Sequence, residues 1–324
     1  MPITLAQAKV GMANKVDQTV VDEFRRGSIL LDKIIFDDTV SPGTGGSTLT
    51  YGYTQLKSPA TAAFRDINSE YTPQVADRQP KSVDLKIMGG TFDIDRVIAD
   101  TAGAVNEVNF QLQEKINATI NTFHNQVING DKAVKGFDGL DKMLVASVTE
   151  LGTTAVIDLS TGAATETNGK DFLDALDAML AELDGIPDMI MANTKAILKI
   201  KSIARRLGYL DKTVDGFGRS VDSYNGIPLV DMKYFYNGSQ TLPVVPIVNR
   251  TVGTAQTGLT DIYAARFALD GLHAASPLGG KVIKTWLPDF KTAGAVKKGE
   301  VEMIAATVLK KTRAAGVLRN IKVQ

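Results

Sequence analysis

Residues 127–140 read VINGDKAVKGFDGL, and they fall where a long helical pattern stops. The stretch holds Gly130, Gly136 and Gly139 beside Asp131 and Asp138, the ingredients of a ligand loop. An EF-hand loop starting at Asn129 would need glycine at its sixth position and glutamate at its twelfth. Val134 and Leu140 stand there instead. A Walker loop needs Gly-Lys-Ser/Thr, and Gly136 is followed by Phe137. Asn129-Gly130 therefore reads as a left-handed helix stop, and the rest as a turn.

The helix it stops spans about 101–128. Val105, Val108, Leu112, Ile116, Ile120, Phe123 and Val127 recur every three or four residues, one stripe on a rod of roughly 40 Å. Its other faces carry Asn106, Asn109, Gln111, Gln113, Asn117, Asn121, Asn125 and Gln126. Amides are cheaper to desolvate than charges, so this face is expected to meet a neighbouring subunit.

Upstream, residues 3–36 read as an irregular amphipathic arm, with Val20, Val21, Phe24, Ile29, Leu30, Leu31, Ile34 and Ile35 apolar. SPGTGGST, 41–48, is a flexible joint. It lacks the Gly-Lys-Ser/Thr and following helix of a phosphate cradle. Leu49, Tyr51 and Tyr53 alternate with polar residues, and so do Val83, Leu85 and Ile87. These are two strands around a turn-rich stretch, a long β-hairpin with few local residues to cover it. A two-stranded ribbon is marginal alone in water, so it is expected to pack on another chain.

Downstream, 146 to about 270 reads as a compact α/β unit. It holds a helix with Phe172, Leu173, Leu176, Met179, Leu180 and Leu183, and a buried strand PDMIMA at 187–192. A helix capped by Asn193 or Thr194 then runs to Leu207, closed by Gly208. Its Lys199, Lys201, Arg205 and Arg206 form a basic patch, read as a solvated face. IPLVDM is a strand, and Glu300–Lys310 and Gly316–Val323 are two more. The fold class is mixed α+β.

Composition narrows the function. In 324 residues Lys plus Arg equals Asp plus Glu at 36 each, so no net charge drives binding to nucleic acid or a membrane surface. There is no cysteine, hence no disulfide and no thiolate chemistry. No leader h-region appears at the N-terminus, no run of about 18 apolar residues spans a membrane, and the sequons at Asn117, Asn237 and Asn249 carry no weight without a secretory route. The two histidines, His124 and His273, have no zinc-site spacing. GTAQTGLT at 253–260 has Walker glycine spacing, with Leu259 where lysine is required. Asp93 and Asp95 share a strand face near Asp100 and read as a solvated edge rather than a cation site. No catalytic, cofactor-binding or metal-binding residue is assigned.

The order of parts then carries the reading. Arm, glycine joint, long hairpin, spine helix ending at an NGD turn, α/β unit and closing strands resemble the major capsid proteins of tailed bacteriophages. FHNQVINGDKAVKGFDGL resembles that family's spine-helix end. KDFLDALDAMLAELDGIPDMIMANTKAILKIKSI resembles the helix, strand and helix of its A-domain, and YNGIPLVDM its following loop and strand.

The resemblance covers nearly the whole chain. It implies an N-terminal arm (1–37), an E-loop (38–92), a P-domain with the spine helix (93–145), an A-domain (146–277) and a return to the P-domain (278–324). It further implies self-assembly through hexamers and pentamers into an icosahedral shell around double-stranded DNA, in a virion built in the host bacterial cytoplasm. Partners would be the chain itself, a separate scaffolding protein and a portal, with weak contact to packaged DNA. The arm begins at about residue 3, so the long N-terminal scaffolding segment of some members is not expected here. Lys57 lies in the hairpin, but the Asn and Glu of the cross-link some members form have no match here. An encapsulin-like compartment shares this fold and is the alternative. A soluble enzyme using 146–270 is the alternative of another class.

Overall fold

A computed structural model of the chain describes residues 30–31, 33–40, 49–101, 107–208, 211–214, 220–277 and 282–324. The expected arm up to residue 29 and the joint 41–48 lie outside the described residues.

Among the described residues the strands form two large sheets. The peripheral sheet has five strands, ordered Phe36–Asp37, Leu272–Ala275, Val296–Leu309 and Ile283–Trp286, with Lys86–Asp95 also paired to Val296–Leu309. The central sheet has nine, running through Ala315–Lys322, Thr254–Ala265, Met189–Ala192 and Ile227–Asp231. The hairpin Thr50–Ser58 with Asp77–Asp84 and a short ribbon of Tyr234–Tyr236 with Thr241–Pro243 stand apart from both.

The spine helix is described over Glu107–Asn129, and Arg96–Thr101 is helical before it; Val105 and Asn106 of the expected helix lie outside the described residues. The spine lies across Lys86–Asp95 and Val296–Leu309. Its stripe deepens along its length. Leu112, Ile116 and Ile120 are half-buried, while Phe123, Val127 and Ile128 are fully enclosed. Phe123 packs between Phe36 and Phe137, with ring centroids 5.9 and 6.0 Å away. Across the sheet, Phe92 lies flat over Gly299, where a Cβ would fall 2.2 Å from the ring.

In the central sheet, Met189–Ala192 is buried at every position. It pairs in parallel with Ile227–Asp231 on one edge and antiparallel with Thr254–Ala265 on the other. A strand covered on both faces reads as an unbroken apolar run rather than an alternation. The helices Gly162–Ala181 and Thr194–Leu207 bring Phe172, Leu176, Ile197 and Ile200 into the core with Ile190, Ile262 and Leu318. Thr161 caps the first through Ala164 N at 3.1 Å, and Asn193 caps the second through Ala196 N at 2.9 Å. The first helix begins ten residues before the apolar stripe that announces it, because GAATETNGKD carries little apolar signal. The two tail strands part company. Val296–Leu309 stays in the peripheral sheet, whereas Ala315–Lys322 crosses into the central one. Residues 282–324 thus contribute strands to both sheets.

Candidate assembly surfaces

The hairpin is longer than its alternation showed. Its limbs are Thr50–Ser58 and Asp77–Asp84, with Pro80 paired to Thr54 inside the ribbon. Proline survives there because each limb has a free edge. The base is tied to its own chain by one face of the first limb. Tyr51 donates to Asp37 Oδ2 at 2.6 Å, Tyr53 to the Leu309 carbonyl at 3.2 Å, and Gln55 Nε2 to the Lys310 carbonyl at 3.0 Å. These residues alternate along the strand, so all three point the same way. Leu85 N, at the foot of the second limb, donates to the Leu49 carbonyl at 2.7 Å. The expectation of a hairpin without internal partners is thus corrected at its base.

Beyond the base none of the described residues covers it. Leu56, Phe64, Ile67, Tyr71 and Val75 are exposed, and Ile67 keeps 90% of its surface. The local contacts there are thin: Lys57 with Asp77 at 3.1 Å, and Arg65 over the Tyr71 ring at 5.4 Å. Scattered apolar residues on a surface are ordinary, but five along one projecting segment mark an interaction surface.

The turn after the spine is a closed structural knot. Gly139 N donates to the Gly130 carbonyl at 2.9 Å, and a Cβ on Gly139 would lie 2.6 Å from backbone atoms. Asp131 caps Ala133 N at 2.8 Å, and Asp138 caps Lys132 N at 3.1 Å and pairs with the Lys132 ammonium at 3.2 Å. Both acids are spent on backbone and lysine, so the stretch is a helix stop and turn, but the left-handed conformation expected at Asn129-Gly130 is not there: Gly130 N still donates to the Gln126 carbonyl at 2.9 Å, and Lys135 is the left-handed residue, at φ 61°. Asp95 likewise caps Val97 N at 2.8 Å, while Asp93 stands opposite Lys298 in the sheet. Among the described residues no group of three His, Cys, Asp or Glu could hold a metal, and no helix is long and apolar enough to cross a membrane.

The basic helix is largely satisfied at home. Lys199 donates to the Ser160 carbonyl, Lys201 pairs with Asp222 at 2.6 Å, and Lys195 reaches Gln324. The amide face of the spine is corrected in part. Asn121 is buried and bonds the ribbon at Tyr234 and Tyr236, and Asn129 Nδ2 donates to the Val244 carbonyl at 2.5 Å. These amides fasten residues 232–245 to the helix of their own chain. Beside them His124 Nε2 lies 2.9 Å from the Met232 carbonyl, and burial lowers its pKa against that hydrogen bond.

One site escaped the sequence reading. Arg319 gathers Asp141, Glu150 at 2.8 Å and Asp261 at 3.1 Å, and Arg250 grips both oxygens of Asp261 at 2.6 Å. Asn320, held at φ 60°, joins them through Asp261 Oδ1 at 3.1 Å. The pairing of Thr254–Ala265 with Ala315–Lys322 shifts register here, between Thr260 and Ile262. Such a bulge re-aims side chains. Burial works against the Arg319 charge, but its hydrogen bond to Asp141 and the nearby charges outweigh it and raise the pKa. The cleft beside the cluster, about 360 Å³, is lined by Asp141, Lys142, Glu150, Arg250 and Arg319. The carboxylates and guanidinium groups are bonded to one another, so the cluster works as a clasp. The available signal was one acid in LTDIYAA and one arginine in VLRNI, both apolar strands.

No family model matches the sequence, and no curated protein does. Solved structures do. The holo-SrpI encapsulin complex from Synechococcus elongatus superposes with a TM-score of 0.64 at 16% identity, covering 100% of this chain and 98% of that one. A chain of Mycobacterium phage Adephagia gives 0.62 at 12% identity, covering 100% and 99%. The capsid of Myoviridae phage XM1 gives 0.53 at 11% identity, covering 98% of each chain. The chain has the α+β capsid fold shared by tailed-phage major capsid proteins and encapsulins.

Proposed function

We propose that the chain is a major capsid protein, a structural subunit without enzymatic activity. Many copies close into an icosahedral shell of hexamers and pentamers around the double-stranded DNA of a tailed phage. The hairpin carries this reading. Its base is fixed by Tyr51, Tyr53 and Gln55, and its far half presents Phe64, Ile67, Tyr71 and Val75 to solvent. A fixed root with an uncovered tip suits contact with another copy, repeated by symmetry until the surface closes. The five segments named above, arm, E-loop, P-domain, A-domain and return, are its working parts. A separate scaffolding protein and a portal complete the assembly, which takes place in the host cytoplasm and yields the virion. Contact with packaged DNA is weak, in keeping with equal counts of basic and acidic residues.

The likeness to an encapsulin complex favours one second reading, a protein compartment filled with protein cargo. Expression of the chain followed by electron microscopy tests the shell itself: closed particles are expected, and only monomers or dimers would overturn it. Co-expression with genes flanking its own then separates the readings. Nuclease-protected DNA marks a phage head, and co-purifying protein cargo without DNA marks a compartment.

A further inference from the structure

Four parts of the chain converge on one buried imidazole. His273 lies in Leu272–Ala275, fully enclosed; neither ring nitrogen has a partner in good hydrogen-bond geometry, the Gly271 backbone making at most a weak one. Asp37 ends the short strand Phe36–Asp37, Tyr51 opens the hairpin, and Lys310 follows the long return strand. The Tyr51 ring meets the imidazole edge-on at 5.6 Å, and the Lys310 ammonium sits 5.3 Å over the same tyrosine.

Asp37 stands between two suitors. Its Oδ1 is held by the Thr39 N–H at 3.0 Å and by the Thr39 hydroxyl. Its Oδ2 accepts from Tyr51 at 2.6 Å and lies 3.9 Å from His273 Nε2. A charged N–H···O⁻ bond closes at about 2.8 Å, so a swing of about one ångström, pivoting on Oδ1, would exchange one partner for the other.

We propose that Asp37, Tyr51 and His273 form an acid-sensitive latch: protonated His273 draws the Asp37 carboxylate off Tyr51 and frees the base of the hairpin. The ionisable groups facing the ring are Asp37 from the arm strand, Tyr51 from the hairpin, Lys310 from the return strand and Asp270 from the turn before its own strand. Burial, then Lys310, lower the imidazole pKa, while Gly271, Asp37 and Asp270 oppose them. The ring is therefore neutral at neutral pH, where the Tyr51 bond is made. Burial works against the Asp37 charge, but Thr39, Tyr51 and Lys310 outweigh it and hold the carboxyl below its ordinary value of 3.8. The proton enters below the ordinary imidazole value of 6.5, and the nearest carboxylate is the one that anchors the hairpin. The latch lies within one chain, so it operates with or without a shell.

Hydrogen exchange on the full-length chain between pH 7.5 and 4.5, corrected for intrinsic rates, tests it. Peptides covering 49–56 and 79–85 are expected to lose protection on acidification roughly tenfold more than the spine helix, which follows the stability of the whole subunit. His273→Phe should hold the hairpin base protected at both pH values. Tyr51→Phe should be unprotected there already at pH 7.5 and indifferent to pH. Should His273→Phe fail to fold, His273→Gln replaces it, and the Tyr51→Phe comparison decides alone. Wild-type protection unchanged at pH 4.5, the same loss in the His273 variant, or full protection in Tyr51→Phe at neutral pH would each overturn the latch.

Discussion

Asn121 holds the backbone of Tyr236 against the spine helix: its Oδ1 accepts the Tyr236 N–H at 2.9 Å, and its Nδ2 points to the Tyr234 carbonyl at 3.4 Å. One side chain thus bonds a donor and an acceptor of a ribbon more than a hundred residues away. Asn121→Leu removes both of these bonds and puts an apolar side chain against the ribbon's backbone, and the subunit should lose about 1–3 kcal/mol in a denaturant melt. Asn117→Leu, one turn earlier and bonded only to Gln113 on its own helix, should change it by under about 0.5 kcal/mol. Equal losses would mean that the ribbon does not depend on Asn121.

The spine stripe should weaken in proportion to its burial. Phe123→Ala removes a fully enclosed ring that touches Phe36 and Phe137, and should cost about 3–5 kcal/mol. Ile116→Ala, half-buried, should cost about 1–2 kcal/mol because part of its surface already meets water. Urea titrations of the two variants would expose a wrong ranking.

Arg319 binds three carboxylates that would otherwise repel one another. Arg319→Met leaves Asp261 buried with Arg250 alone, and should cost about 3–5 kcal/mol. Adding Asp261→Asn should recover part of that loss. A double variant less stable than the single one would show that Asp261 has a role apart from the clasp.

His124 gives the core an acid limit. Its folded pKa lies below the unfolded value of 6.5, mainly through burial. The unfolded chain therefore takes the proton first, and stability falls as pH drops below about 6.5 until the folded pKa is passed. His124→Gln should lose less stability than wild type between pH 7 and 5 in parallel melts. Identical slopes would remove His124 from the account.

The hairpin tip should separate folding from association. Phe64→Asp and Ile67→Asp together touch no core residue, so subunit stability should hold within about 0.5 kcal/mol. Closed particles counted by microscopy should become few. Normal particle yield would remove the tip from the interface.

The sequence disclosed what repeats locally. The spine stripe, the buried run MIMA, the Asn193 and Gly208 helix ends and the alternation around Tyr51 all sit within a few residues of their cause. Arg319 and Asp261 were invisible because 58 positions and a register shift separate them, and only the sheet brings them together. The amide face misled for the same reason. Composition showed that the face wanted hydrogen bonds, but not that Tyr234 and Tyr236 of the same chain supply them. The hairpin was legible as a ribbon, yet its anchor at Leu309 and Lys310 depends on residues some 255 positions away.

The long return strand fixes a timetable. Val296–Leu309 pairs with Lys86–Asp95, with Leu272–Ala275 and with Ile283–Trp286, so every antiparallel pairing of the peripheral sheet passes through it. It leaves the ribosome after all of its partners. Until then Lys86–Asp95 waits with an open edge, and the spine helix has no sheet to lie on. Such distant pairing is slow, and waiting edges invite aggregation. The peripheral sheet of such a chain can close only when synthesis is nearly complete.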